Sequence, residues 1–282
     1  MRWIIAIPAI LLLLAARPSA AEPDQILWIL PEFPPVFISE KPLFGQGYGD
    51  GELRYLIEHL PQFHHVVMFG TAPRLWHEME NRDGVCAVSM ARLPEREKFA
   101  VFSARHTYGL SNQVIVRADR LVKFEPYLDK AGRIDLTRLA ADEHLQGAYS
   151  DGTTYGPAID AFIKDPERKT PLELTAHIRT PIGLLDKERL DFVFGFHMEA
   201  AYYRRTHPQS AEFITLATVP DGGREDSYIA CSKGPIGRQA VAAIDALLAS
   251  DEALLDYVEN LRGWYSSDEF EAARKAVTSA GR

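Results

Sequence analysis

Short apolar runs that alternate with segments of helical period, twice over, constrain this sequence more than any other feature. Ile26-Leu27-Trp28-Ile29-Leu30 is an apolar run ended by Pro31, the length of a buried strand rather than a helix. Leu53, Leu56, Ile57 and Leu60 follow at helical spacing, and Pro61 stops them. Residues 65–69 read as a second strand, Leu75, Trp76 and Met79 as the face of a second helix, and residues 86–90 as a third strand. Strand, helix, strand, helix, strand predicts a parallel βαβαβ unit. Between the first strand and first helix, residues 31–51 hold four prolines and four glycines and read as loop.

The pattern then restarts. Residues 113–117 and 146–150 are the next strands, and the second runs into Asp151-Gly-Thr-Thr-Tyr155, which opens a predicted helix through Ile159 and Phe162. A helix near residues 182–185 and a strand at 191–194 follow; after the Val219-Pro-Asp-Gly-Gly223 turn a lone strand stands at 228–231. Two helices end the chain, one with Val241, Ile244, Leu247 and Leu248 on a face, the next with Leu254, Leu255, Val258 and Leu261. No repeat and no long linker divides the halves. The expected layout is two α/β lobes, residues 22–111 plus 220–282 forming the first and 112–219 the second. Two chain crossings join them, near residues 108–112 and 219–225.

Residues 1–21 stand apart. A short basic start, a 14-residue apolar stretch and Arg17-Pro-Ser-Ala-Ala21 have the form of a secretory signal peptide cleaved after Ala21. The apolar stretch falls short of the roughly 20 residues that cross a bilayer. The mature chain is expected to be exported to the periplasm. Its 261 residues carry 29 Lys and Arg against 39 Asp and Glu, a formal charge of −10. That balance excludes a nucleic-acid binder, which needs cations to displace phosphate counterions. Cys86 and Cys231 are the only cysteines; in an oxidising compartment they either bridge or sit as two buried thiols, and the residues alone leave both open.

Enzyme and metal signatures are missing: there is no G-x-S-x-G, Walker loop, H-E-x-x-H or C-x-x-C. His64 and His65 are neighbours in a strand and so point to opposite faces. Three loops look like ligand recognition instead. Phe33-Pro-Pro-Val-Phe37 leaves the carboxyl end of the first strand, where ligands of open α/β sheets sit. Ser89-Met-Ala-Arg-Leu-Pro-Glu-Arg96 leaves the third strand and brings Arg92 and Arg96, whose guanidinium forks suit carboxylate or phosphate. Ser150-Asp-Gly-Thr-Thr154 lies at a strand-to-helix junction, where free amides and the hydroxyls of Thr153 and Thr154 suit an anion.

Four stretches also follow a family pattern in order. Ser89 through Lys98 with Val101-Phe-Ser103 is similar to G-M-(T/S)-I-T-P-E-R-x-K…F-S, and Asp151-Gly-Thr-Thr-Tyr155 to a G-(S/T)-T helix start. Arg189-Leu-Asp-Phe-Val193 with Ala200-Ala-Tyr202 is similar to G-R-x-D-A-x-x…A-x-Y, and Tyr228-Ile-Ala-Cys-Ser-Lys233 to G-I-A-V-R-K. The chain thereby resembles the family 3 extracellular solute-binding proteins, the amino-acid receptors of ABC importers, over nearly its whole mature length. The combination W-x-x-x-x-F-P-P with a cysteine on the third strand resembles a divergent subgroup.

The resemblance implies a type II periplasmic-binding-protein-like fold, two α/β lobes joined by a two-crossing hinge. It implies that the third and the returning strand are neighbours, and hence a Cys86–Cys231 disulfide. It also implies that Arg96 and the hydroxyl of Thr153 or Thr154 hold a ligand carboxylate. Leu93 stands where the family has a carboxylate-binding threonine, and Phe196 where it has the aspartate that takes an ammonium group, with Glu199 as the substitute acceptor. F-S-D-P-Y becomes Phe102-Ser-Ala-Arg-His106, adding Arg105 and His106 near the hinge. The expected function is therefore a monomeric, non-catalytic receptor, without cofactor or metal, for a small polar, anionic ligand. It would serve an ABC importer through an inner-membrane permease. The alternative is a sensor or accessory protein of the same fold that acts on a membrane or periplasmic partner.

Overall fold

The computed structural model describes residues 24–104, 107–108, 111–151, 153–175, 181–220, 226–265 and 267–278. The expected signal peptide, Arg105 and His106 lie outside the described residues.

The chain begins with β1 (Gln25–Pro31), α1 (Tyr48–His59), β2 (His64–Gly70), α2 (Ala72–Asn81) and β3 (Val85–Met90), then β4 (Ala100–Phe102) and β5 (Thr107–Tyr108). A second unit follows: β6 (Gln113–Arg117), β7 (Ile134–Asp135), α3 (Leu136–Ala140), β8 (Gly147–Ser150), α4 (Pro157–Lys164) and β9 (Leu172–Thr175). It continues through α5 (Ile182–Asp186), β10 (Phe192–Gly195), α6 (His197–Thr206), β11 (Phe213–Leu216) and β12 (Thr218–Val219). The chain returns along β13 (Asp226–Ser232) and ends in α7 (Pro235–Leu247), α8 (Asp251–Val258) and α9 (Ser267–Val277).

The first sheet has the order β2-β1-β3-β13-β4, with β5 also pairing β13. β1 is parallel to β2 and β3, as the βαβαβ pattern requires, whereas β13 runs antiparallel to β3 and β4. The second sheet has the order β11-β6-β10-β8-β9 and is mixed: β6 is antiparallel to β10 and β11, while β8 is parallel to β10 and β9. Helices cover these sheets, so central strands such as β1, β3, β6 and β10 are continuous apolar runs rather than alternating ones. One core surrounds Trp28, Leu56, Leu75, Val88 and Ile229. The second sheet carries a core on each face, one around Phe162, Phe192 and Phe194, the other around Ile115, Leu185 and Val193.

Cys86 and Cys231 face each other in the β3–β13 ladder and are bonded, with their Cα atoms 4.1 Å apart. Asp83, just before β3, holds the start of α7. Its carboxylate accepts from the Ile236 and Gly237 amides, both at 3.0 Å, and from the Gly84 amide at 2.7 Å. Burial raises its pKa, but those amides outweigh burial and hold the group below the usual carboxylate range. Gly234 is required there, because a Cβ would stand 2.1 Å from the Asp83 carboxyl carbon. Asp83→Ala is expected to lower stability by about 1–2 kcal/mol, measured by urea unfolding. The wild-type advantage should fade as the pH falls through the depressed folded-state value.

The sequence suggests loop as far as residue 51, yet α1 starts at Tyr48 and takes in Gly49 and Gly51. Packing explains it: a Cβ at Gly49 would approach the Phe37 ring to 2.7 Å, and one at Gly51 the Asn260 amide to 2.3 Å. Asp50 ties the same corner, accepting from the Gly47 amide at 3.0 Å and the Ile38 amide at 3.1 Å.

Candidate functional site

Both sheets turn their strand carboxyl ends towards the crossings. In the first, Met90 at the end of β3 faces Tyr228 near the start of β13, and Phe102 ends β4 beside them. In the second, Gly195 at the end of β10 faces Gln113, where β6 enters, and β8 runs parallel to β10. The loops at 32–47, 91–96 and 153–156 and the start of α6 therefore occupy the edge at which such sheets bind ligands.

Phe33 and Phe37 form a backbone bridge to each other within the first of these loops. Phe33 is half-buried, and Phe37, 1% exposed, belongs to the core under α1 instead of forming an open wall. The open aromatic of this loop is Phe44, 57% exposed, whose ring lies 5.8 Å from that of Phe69 in β2. Sequence reasoning missed this pair. Its signal was an aromatic inside a proline- and glycine-rich loop and another just before Gly70.

Ser89 has φ +58°, a conformation rare for a residue with a Cβ. Its hydroxyl is turned inwards, donating to the carboxyl group of Glu52 on α1. Glu52 is 1% exposed, and burial pushes its pKa up to about 7 against the opposing hydrogen bonds of Ser89 and Tyr257. Ser89 thus shapes the end of β3 from beneath.

Arg96 is held by two residues, one of them braced in turn by a third. Its guanidinium lies 4.3 Å from the Trp76 ring centroid and Nη1 donates to the Ala91 carbonyl at 2.9 Å, while Trp76 meets Phe99 edge-on at 6.2 Å. A planar cation stacked on an indole keeps a fixed fork direction. Arg92 instead pairs with Glu97 and lies 5.9 Å from the Phe102 ring and 6.0 Å from the Tyr228 ring. It joins the loop to both strands of the hinge.

Across the crossings, the expected helix opening at Asp151 is not there. The loop runs on to Gly156, whose φ of +88° precedes Pro157 at the first position of α4. Asp160 then fills the place foreseen for an outside anion: it accepts from the Thr154 hydroxyl at 2.6 Å and the Tyr155 amide at 2.8 Å. Thr153 differs from Thr154. Its Oγ1 is buried and has no hydrogen-bond partner among the described residues. Glu199 is buried as well, and its carboxylate caps the start of α6, accepting from the Phe196 amide at 2.8 Å.

The paired histidines diverge as expected. His64 is exposed, while His65 Nδ1 accepts from the Trp28 indole at 3.0 Å, which leaves the proton on Nε2, 2.9 Å from the Leu60 carbonyl. Among the described residues no group of three or more His, Cys, Asp or Glu is arranged to hold a metal ion, and no helix is long and apolar enough to cross a membrane.

No family model and no curated protein matches the chain. Solved structures do. An arginine-specific periplasmic binding protein of Salmonella typhimurium superposes with a TM-score of 0.59 at 17% identity, over 86% of this chain and 100% of its own. The chain has the type II periplasmic-binding-protein fold. A probable amino-acid ABC transporter extracellular-binding protein of Bacillus subtilis gives 0.64 at 12% identity, over 88% of this chain and 99% of that one. An ancestral amino acid-binding protein, a precursor of cyclohexadienyl dehydratase, gives 0.60 at 16%, over 86% and 95%. Identities this low carry the fold and leave the ligand to the chemistry of the site.

Proposed function

We propose that this chain is an exported, periplasmic solute-binding protein whose two lobes, residues 22–111 plus 220–282 and 112–219, close over a small polar, anionic ligand. The observation that carries this reading is the Thr153 hydroxyl, buried just after β8 and without a hydrogen-bond partner among the described residues. A buried polar group without a partner costs free energy that a ligand restores on closing. Arg96, stacked on Trp76, is the cation on the opposite lobe. An anion between them gains a charge-assisted hydrogen bond on one side and a hydroxyl on the other. Binding without turnover is the reading, with delivery to an ABC importer as the use that the neighbours' descriptions suggest.

The mature protein should melt at higher temperature with a member of a panel of small carboxylates and phosphates. Arg96→Ala is expected to weaken binding about 10–100-fold, the worth of one charged hydrogen bond, and Thr153→Val to weaken it less. Mass spectrometry of what co-purifies names the ligand. A panel in which nothing shifts the melting temperature sinks the receptor reading and favours a protein partner.

A further inference from the structure

A further connection between the lobes runs through side chains instead of the backbone crossings. Trp264, between α8 and α9, is 7% exposed. Its indole Nε1–H donates at 3.2 Å to the carbonyl of Gln46, in the loop that leaves β1 for the ligand edge. Two ring neighbours come from α6, which packs on β6 and β11 of the second sheet. The Arg205 guanidinium stands 4.2 Å from the Trp264 ring centroid, and the Tyr202 ring 6.3 Å away. Arg205 Nη2 also donates to the Gly263 carbonyl. Gly263 has φ +82°, a turn that an L side chain would strain. One indole is thus held between a loop of the first lobe and a helix of the second.

We infer that Trp264 and Arg205 form an interlobe latch that favours closure before any ligand arrives, with Arg205 as its positioning residue. This rests on the solute-binding reading above. Gln46 belongs to the first lobe, and Tyr202 and Arg205, in the second half of α6, belong to the second, so their contacts through Trp264 exist only while the two lobes are together at this place. The hinge strands impose no such condition; Ser103 staples them to each other within the first lobe, its amide donating to the Ile229 carbonyl at 2.9 Å and its hydroxyl accepting from the Ile229 amide at 3.0 Å. One exposed cation–π contact plus one charged hydrogen bond shifts an open–closed equilibrium by roughly tenfold. Ligand affinity scales with the closed fraction, so the latch tunes affinity without touching ligand.

The test uses ligand-free mature protein in solution scattering and tryptophan fluorescence. Arg205→Ala is expected to raise the radius of gyration and shift emission to the red as Trp264 becomes exposed. Arg204→Ala is the control, since Arg204 pairs with Glu212 inside the second lobe at 3.3 Å. It is expected to match wild type. An unchanged radius in Arg205→Ala, or an equal rise in both variants, overturns the latch. Neither readout needs a ligand, so the latch can fail while thermal shifts still support the receptor, and the reverse.

Discussion

Replacing both cysteines by alanine is expected to lower the unfolding free energy by up to about 5 kcal/mol. The estimate follows from the entropy of closing so long a loop in the unfolded chain, the two residues being 145 positions apart. The position of the bond makes the effect specific. Cys86 lies in β3 and Cys231 in β13, the strand that returns only after the whole second lobe has been built. The closed loop therefore contains that lobe, and the bond fixes the register at which the chain re-enters the first sheet. Both side chains are fully buried, so alanine leaves a small gap but no unsatisfied polar atom. The double variant should fold, because the β3–β13 and β4–β13 ladders and the core around Trp28 remain. It should unfold at lower urea with an altered slope, since the reference state has lost its cross-link. Equal midpoints for the oxidised wild type and the double variant would show that the two thiols are not bridged in the protein as made.

The architecture was largely legible because its strands and helices differ in period. β6 was placed at residues 113–117 and found there, and the helices carrying Leu56, Met79 and Ile244 fall where their spacing put them. Strand direction was not legible in the same way. β6 runs antiparallel to β10 and β11, and nothing in Gln113-Val-Ile-Val-Arg117 distinguishes that from a parallel neighbour, because sidedness within a buried sheet is decided by the connections. The three-residue β4 also escaped, having no room for a period.

The site was half legible. Arg96 could be singled out from its motif, but its stacking on Trp76 joins residues twenty positions apart, and only the packing of α2 against β3 brings them together. Thr153 and Thr154 looked interchangeable in sequence. Asp160, six residues on, takes the second and leaves the first. Glu199 reads as a replacement ligand acceptor, and its place three residues after Phe196 lets its carboxylate accept from the Phe196 amide at the helix start.

Glu52→Gln is expected to stabilise the protein above neutral pH and to flatten its pH dependence between about 4.5 and 7. Glu52 is buried on α1 with the Ser89 and Tyr257 hydroxyls as its polar neighbours and a pKa pushed from 4.5 to about 7 by burial. Tyr257 is raised in turn by burial and by the carboxylate, so no cation among these causes offsets the charge. Asp50, on the same turn, faces the Gly47 and Ile38 amides instead, and Arg54 acts on Asp50. The sign follows from proton counts. Between pH 4.5 and 7 the folded state holds a proton that the unfolded chain has released, so stability falls as the pH rises across that window. The contribution is whole below 4.5, lost through 7, and on the order of 3 kcal/mol in size. Glutamine keeps the shape and carries no charge at any pH, and its amide oxygen still accepts from Ser89. Urea unfolding at pH 5 should then show the two proteins close together, and at pH 8 the variant should be the more stable. The remaining titrations are common to both, so their difference isolates Glu52. A difference that stays constant from pH 5 to pH 8 would mean that water reaches this carboxyl group, and that Ser89 holds the end of β3 in its left-handed conformation without help from a buried proton.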